Sequence, residues 1–261
     1  MARPAQFAVL LNTSVRPSVE QLKRAFHTFH NLTAADAVRL AGGAHGILLH
    51  GASRDAARAF QAALQVEGVA ATVVSEASLP GLPPGVALHR VQLSPEALII
   101  YDVLGRPQPV GWPRVGLIAA AAVRHFELTR SRRDGRAVGE TNFMSRMLAK
   151  KSPDPAHSLE ADSQLILEIV LTEGTSRYQI TAAEFPFKYV INRPRLTTAA
   201  KFGWLVREIC RHAPGALLNH GAACLRDGQD VVPEYINPQM LADEMVWLLW
   251  NASAAPRGRT E

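Results

Sequence analysis

The side chains with the clearest chemical reach are Cys210-x-His212 and His220-x3-Cys224, four potential zinc ligands within fifteen positions. Thiolate and imidazole suit zinc, but this spacing matches no standard finger. Cys210 also falls on the apolar side of a predicted helix, where a thiol fills a core as a small hydrophobe. The expectation is therefore no metal and no cofactor, with Cys210, His212, His220 and Cys224 as the candidates should one bind.

A second candidate is a concentration of charge. Between Arg124 and Lys151 stand Arg124, Arg130, Arg132, Arg133, Arg136, Arg146, Lys150 and Lys151 against Glu127, Asp134 and Glu140. Eight against three is an excess of +5, equal to that of the whole chain, so the remainder is neutral. The preferred reading is a solvated basic loop over 128–160, because Ser, Arg, Gly, Lys and Pro recur there with little periodicity. The alternative is an anionic partner. Nucleic acid would use the arginines as phosphate contacts, with only Phe126 and Phe143 to stack on bases. A lipid headgroup or acidic protein would use the same charges.

Other reactive types are scattered. His27 and His30 fall on the first predicted helix, and His45 and His50 flank the second strand; a site would need the fold to gather them. Asp243-Glu244 and Glu160-x-Asp162 read as carboxylate neighbours on a solvated surface. No phosphate-cradling Gly-x-x-x-x-Gly-Lys-Ser/Thr loop, no Gly-x-Gly-x-x-Gly fingerprint and no Gly-x-Ser-x-Gly elbow occurs. The expectation is a protein that is not an enzyme.

Composition agrees with an ordinary folded chain: 261 residues, 48% hydrophobic and 20% charged, enough for one or two cores. No apolar run approaches the length of a membrane span, and the apolar stretch after Gln6 is too short for a signal segment, so the expected compartment is the cytoplasm. Two cysteines are too few for a disulfide framework.

The elements that must position these side chains divide at Leu79-Pro80-Gly81-Leu82-Pro83-Pro84-Gly85, a Pro-rich linker over 79–85 where two modules are expected to meet. In residues 1–78 the pattern reads β-α-α-β-α-β. Gln6 to Leu11 is a strand, and Ser18-Val19-Glu20-Gln21 is a capping box ahead of Val19, Leu22, Phe26 and Phe29. Thr33 to Asp36 caps a second helix that ends at Gly42-Gly43. After a strand from Gly46 to Leu49, Ser53 caps a third helix with Ala56, Ala59, Phe60, Ala63 and Leu64 on one stripe and Gly68 at its end. Ala70 to Val74 closes the sheet.

In 86–215 the pattern turns to β: Ala87 to Leu93, Ala97 to Asp102, Gln108 to Val110, Val115 to Val123, and a hairpin of Gln164 to Leu171 with Arg177 to Thr181. A helix from Thr197 to Arg211 closes the series. Residues 216–261 are expected to be irregular up to Asn237-Pro238, a cap with proline at the first helical position. The helix that follows carries Leu241, Met245, Leu248 and Leu249, broadened by Trp247 and Trp250. It is expected to pack back on one module; the alternative is a partner-binding helix presenting Leu241, Met245, Trp247 and Trp250.

Two resemblances add to this. The stretch Ala35 to Leu40, Gly51 to Ala56 and Phe60 to Val74 resembles the C-terminal domain of the bacterial ribosomal stalk protein and the adaptor of the Clp protease, which share a fold. That likeness implies a small α/β sandwich used to hold peptides or protein surfaces. The stalk family's recruiting lysines fall at Ala35 and Val38, so that particular role is not implied. Ala97 to Arg106, leading to Val110-Gly111-Trp112-Pro113-Arg114-Val115, resembles a bacterial pleckstrin-homology-like domain, which implies a mostly antiparallel β-barrel with a closing helix. The fold class expected is α+β, and the function expected is non-enzymatic protein binding as an adaptor or scaffold.

Overall fold

The computed structural model describes residues 5–27, 45–124, 163–191, 193–229 and 235–254. The chain is α+β, and the strands among the described residues are divided among three sheets. The first holds β1 (Phe7–Leu11), β2 (Ile47–Ala52) and β3 (Ala71–Ser75) in the order β2-β1-β3, both pairings antiparallel. Helices α1 (Val19–His27) and α2 (Arg54–Val66) cover one face. Both start where the capping residues lie: Ser18 and Gln21 exchange side-chain-to-backbone hydrogen bonds at 2.9 and 3.2 Å, and Ser53 Oγ accepts from Ala56 N at 3.2 Å. Phe26 and Phe60 stack at 4.8 Å in the core between helices and sheet. The helix expected over Thr33 to Gly43 lies outside the described residues.

The second module is built on a five-stranded sheet in the order β11-β8-β9-β10-β4: β4 (Gly85–Ala87), β8 (Val115–Arg124), β9 (Ser163–Leu171), β10 (Arg177–Thr181) and β11 (Leu217–Leu218). The third sheet is β5 (Val91–Leu93), β6 (Ala97–Tyr101) and β7 (Pro107–Gly111). Among the described residues these sheets stay open, so the expected barrel is not closed. The reason is visible at residues 87–93, expected as one strand. Leu88 N donates to Gln179 O at 2.7 Å at the end of β4, the chain then bends, and β5 pairs with β6 in the other sheet. The joint at 79–85 is also packed, since Leu79 and Leu82 each join an apolar cluster.

Alternation along β8 and β9 gives the five-stranded sheet two buried faces. Ile118, Ala120, Leu167 and Ile169 point to a core shared with α3 (Thr198–His212), α4 (His220–Arg226) and the third sheet. Leu117, Ala119, Ala121, Val123, Ile166 and Val170 point the other way, onto α5 (Pro238–Ala254). A sheet covered on both sides reads as a continuous apolar run, as Val115 to Val123 does.

Helix α5 packs on both modules. Leu241 and Met245 lie against the five-stranded sheet, while Trp247 packs with Ala8, Leu10 and Ile47 on the face of the first sheet that α1 and α2 leave uncovered. The modules therefore meet through this helix as well as through the joint. Residues 216–226, expected to be irregular, form β11 and α4.

Candidate functional site

Three buried polar residues from three distant parts of the chain converge where the modules meet α5: His45, Asn219 and Glu244, each at most 5% exposed. The local reasons are separate. Asn219 precedes α4 as its N-cap, its Oδ1 accepting from Ala222 N at 2.9 Å. The same Oδ1 accepts from Ala120 N at 2.9 Å, and Nδ2 lies 3.1 Å from Ala120 O, so one side chain caps a helix and satisfies the backbone of β8. Gly221 permits the approach, because a Cβ there would overlap Ala120 O. Glu244 sits in the second turn of α5. His45 lies at the entry to β2, beside Gly46, whose φ of +107° suits glycine and whose missing side chain leaves room for the Trp247 ring.

The carboxylate of Glu244 organises the cluster. Tyr235 Oη donates to Oε2 through a short hydrogen bond, Asn219 Nδ2 approaches the same oxygen at 3.2 Å, and His220 N donates to Oε1 at 3.3 Å. His45 Nδ1 is 3.8 Å from Oε1, and the His45 ring stacks on Tyr235 at 4.6 Å. Burial raises the Glu244 pKa above its ordinary 4.5; the hydrogen bonds from Tyr235, His220 N and Asn219, with the Arg16 charge, oppose this. Asp243-Glu244 is thus no solvated pair: Glu244 is interior.

A cavity of about 210 Å³ opens beside these groups. Its walls include Leu11, Thr13, Ser14 and Arg16 from the segment after β1, Asn219 and His220 from the second module, and Glu244 and Trp247 from α5. Trp247 Nε1 donates to Leu11 O at 2.7 Å and fixes one wall.

The residues singled out from sequence fall elsewhere. Arg124 ends β8, opposite Ser163. Arg130, Arg132, Arg133, Arg136, Arg146, Lys150, Lys151 and the loop 128–160 lie outside the described residues, as do His30, Ala35, Val38, Glu160 and Asp162. His27 ends α1, and His50 bridges Glu76 at 3.2 Å and Asp243 at 3.4 Å. Cys210 is buried in the core of the second module, its thiol pushed up to about 11 chiefly by burial. His212 stacks on Trp112 at 4.7 Å, and His220 Nε2 lies 3.6 Å from Cys224 Sγ. Among the described residues no group of three or more His, Cys, Asp or Glu side chains is placed to hold a metal. Leu241, Met245 and Trp247 are buried within the chain and Trp250 is half-buried against the first sheet.

Among the described residues no helix is long and apolar enough to cross a membrane. No protein-family model, no curated protein and no solved structure matches this chain.

Proposed function

We propose that this is a cytoplasmic, non-enzymatic binding protein of the adaptor or scaffold type, in which residues 1–78 act as a stalk/Clp-adaptor-like module that takes a partner protein by strand addition. The pleckstrin-type reading of the second module rests on its strand pairs and the helix that follows them, and among the described residues its sheets do not close into a barrel. The carrying observation is the outer edge of β3. Asn12 N donates to Ala70 O at 3.1 Å and Glu76 N to Gln6 O at 3.0 Å, and the antiparallel register between them turns the main chain of Val73 away from β1. The neighbouring outward carbonyls, Ala71 O and Ser75 O, accept from Gln61 Nε2 and Ser78 Oγ at 2.7 Å each. Val73 thus turns its N–H and C=O toward the outer edge of the sheet, beside a groove of about 350 Å³ lined by Asn12, Gln61, Gln65 and Gly68 to Ala71.

Val73→Pro removes that donor at a position where an edge strand tolerates proline. Copurification from the native cell should lose its specific partners with Val73→Pro while the thermal midpoint changes little. Recovery of the same partners would refute the edge as the binding element. Binding that collapses between low and moderate salt would instead favour phosphate contacts from the basic segment.

A further inference from the structure

A cleft in the second module lies apart from the β3 edge and has a chemistry of its own. It has a volume of about 370 Å³ and runs between the turn joining β5 to β6, the 3-10 turn at Phe187–Tyr189 and α3. Leu93, Val190 and Trp204, each half-buried, pack on the core of that module and also line the cleft. The Glu208 carboxylate in its wall is met by Arg211, whose Nε and Nη2 donate to Oε2 at 3.2 and 2.6 Å. Two cations stand at the end marked by Tyr189. Arg90 Cζ lies 4.0 Å from the Tyr101 ring centre and 5.2 Å from that of Tyr189, and Lys188 Nζ lies 5.1 Å from the same Tyr189 ring. Tyr101 Oη donates to Gln92 Oε1 at 3.1 Å, which fixes the ring under Arg90. Both cations are exposed, and no carboxylate among the described residues pairs with either.

The rings hold these like charges within about 10 Å of each other, close enough to repel at moderate salt. Stacking uses the flat face of the guanidinium and leaves its in-plane N–H groups for an acceptor. An anion there relieves the repulsion, and an apolar group beside it covers the outer side of Trp204, Leu93 and Val190. We infer that this cleft binds an acidic linear peptide of a partner protein, with Asp or Glu carboxylates on Arg90 and Lys188 and a neighbouring apolar side chain against Trp204. A free anion has nothing to fill the cleft. A nucleic acid needs open ring faces for its bases, whereas Tyr101 and Tyr189 already carry cations and His212 lies on Trp112.

The test uses the full chain and dye-labelled, end-capped peptides, Glu-Glu-Gly-Leu-Phe and its reverse Phe-Leu-Gly-Glu-Glu, followed by fluorescence polarisation. Each is compared with a form carrying Gln-Gln for Glu-Glu and a form carrying Ala-Ala for the two apolar residues. The better acidic peptide should bind about tenfold or more tightly than its Gln form, as charge-assisted contacts do. The double variant Arg90→Gln, Lys188→Gln should bring the acidic peptide down to the level of the Gln form. Trp204→Ala should weaken the acidic and Gln forms alike; the Ala-Ala form probes the same contact on the wild type, so a folding defect in that variant leaves the test intact. No binding at millimolar concentration, or equal affinity for the acidic and Gln forms, would overturn the proposal. So would tighter retention on phosphatidylserine vesicles that the double variant abolishes, which would assign the two cations to a membrane surface instead.

Discussion

At the residue scale the buried charges decide where the chain is vulnerable. Glu168 is 1% exposed and is held by Arg177 through two bonds of 2.9 and 2.7 Å across the β9–β10 pair. Arg177→Ala would strand an unpaired interior carboxylate, for a loss of about 3–5 kcal/mol in urea unfolding, whereas replacing both by leucine-sized residues should recover most of it. His50 and Glu244 set a pH dependence. The His50 pKa is raised above 6.5, first by its hydrogen bond to Asp243 and, against burial, by Glu76 as well. That stability is fully present below the unfolded value and lost as pH rises through the folded one. Glu244 also binds its proton more tightly when folded, so its contribution moves the same way above 4.5. The thermal midpoint should fall as pH rises from mildly acidic to mildly alkaline, and His50→Gln should flatten the upper part of that slope. A midpoint rising over that range would contradict the assignment.

At the element scale the capping residues were legible because capping is local. Ser18, Ser53 and Asn237 each sit three residues before the backbone N–H that they accept from, and Thr197, expected inside its helix, turns out to cap it in the same way. Asn219 does the same at α4, where the sequence gives no sign of it, because it follows Leu217-Leu218 and leads into only seven helical residues. Asn219→Ala should cost about 2–4 kcal/mol, more than an exposed cap, because Ala120 N and O lose their partner as well. Ser53→Ala, which loses only its cap, should cost about 1 kcal/mol in the same denaturation assay. The breadth of the apolar surface on α5, with Trp247 and Trp250 outside the Leu241–Met245 stripe, was the sign of a helix buried between two layers rather than against one.

At the scale of the whole molecule, α5 packs on the first sheet and on the five-stranded sheet at once. Trp247 fills the space over Gly46 and hydrogen-bonds Leu11, so Trp247→Ala should cost about 3–5 kcal/mol. It should also split a single calorimetric transition into two, as the first sheet loses its cover. A single transition in the variant would mean that the joint at 79–85 couples the modules without α5. Among the described residues the sequence by itself determined most of the elements and many of their ends, since hydrophobic period, caps and turns act over a few residues. It could not show that the strands after the joint divide between two sheets, because one bend at residues 88–90 decides that. Nor could it gather His45, Asn219 and Glu244: each reads locally as an ordinary polar residue, and only the packing of two modules on one helix removes the water that would have kept them so.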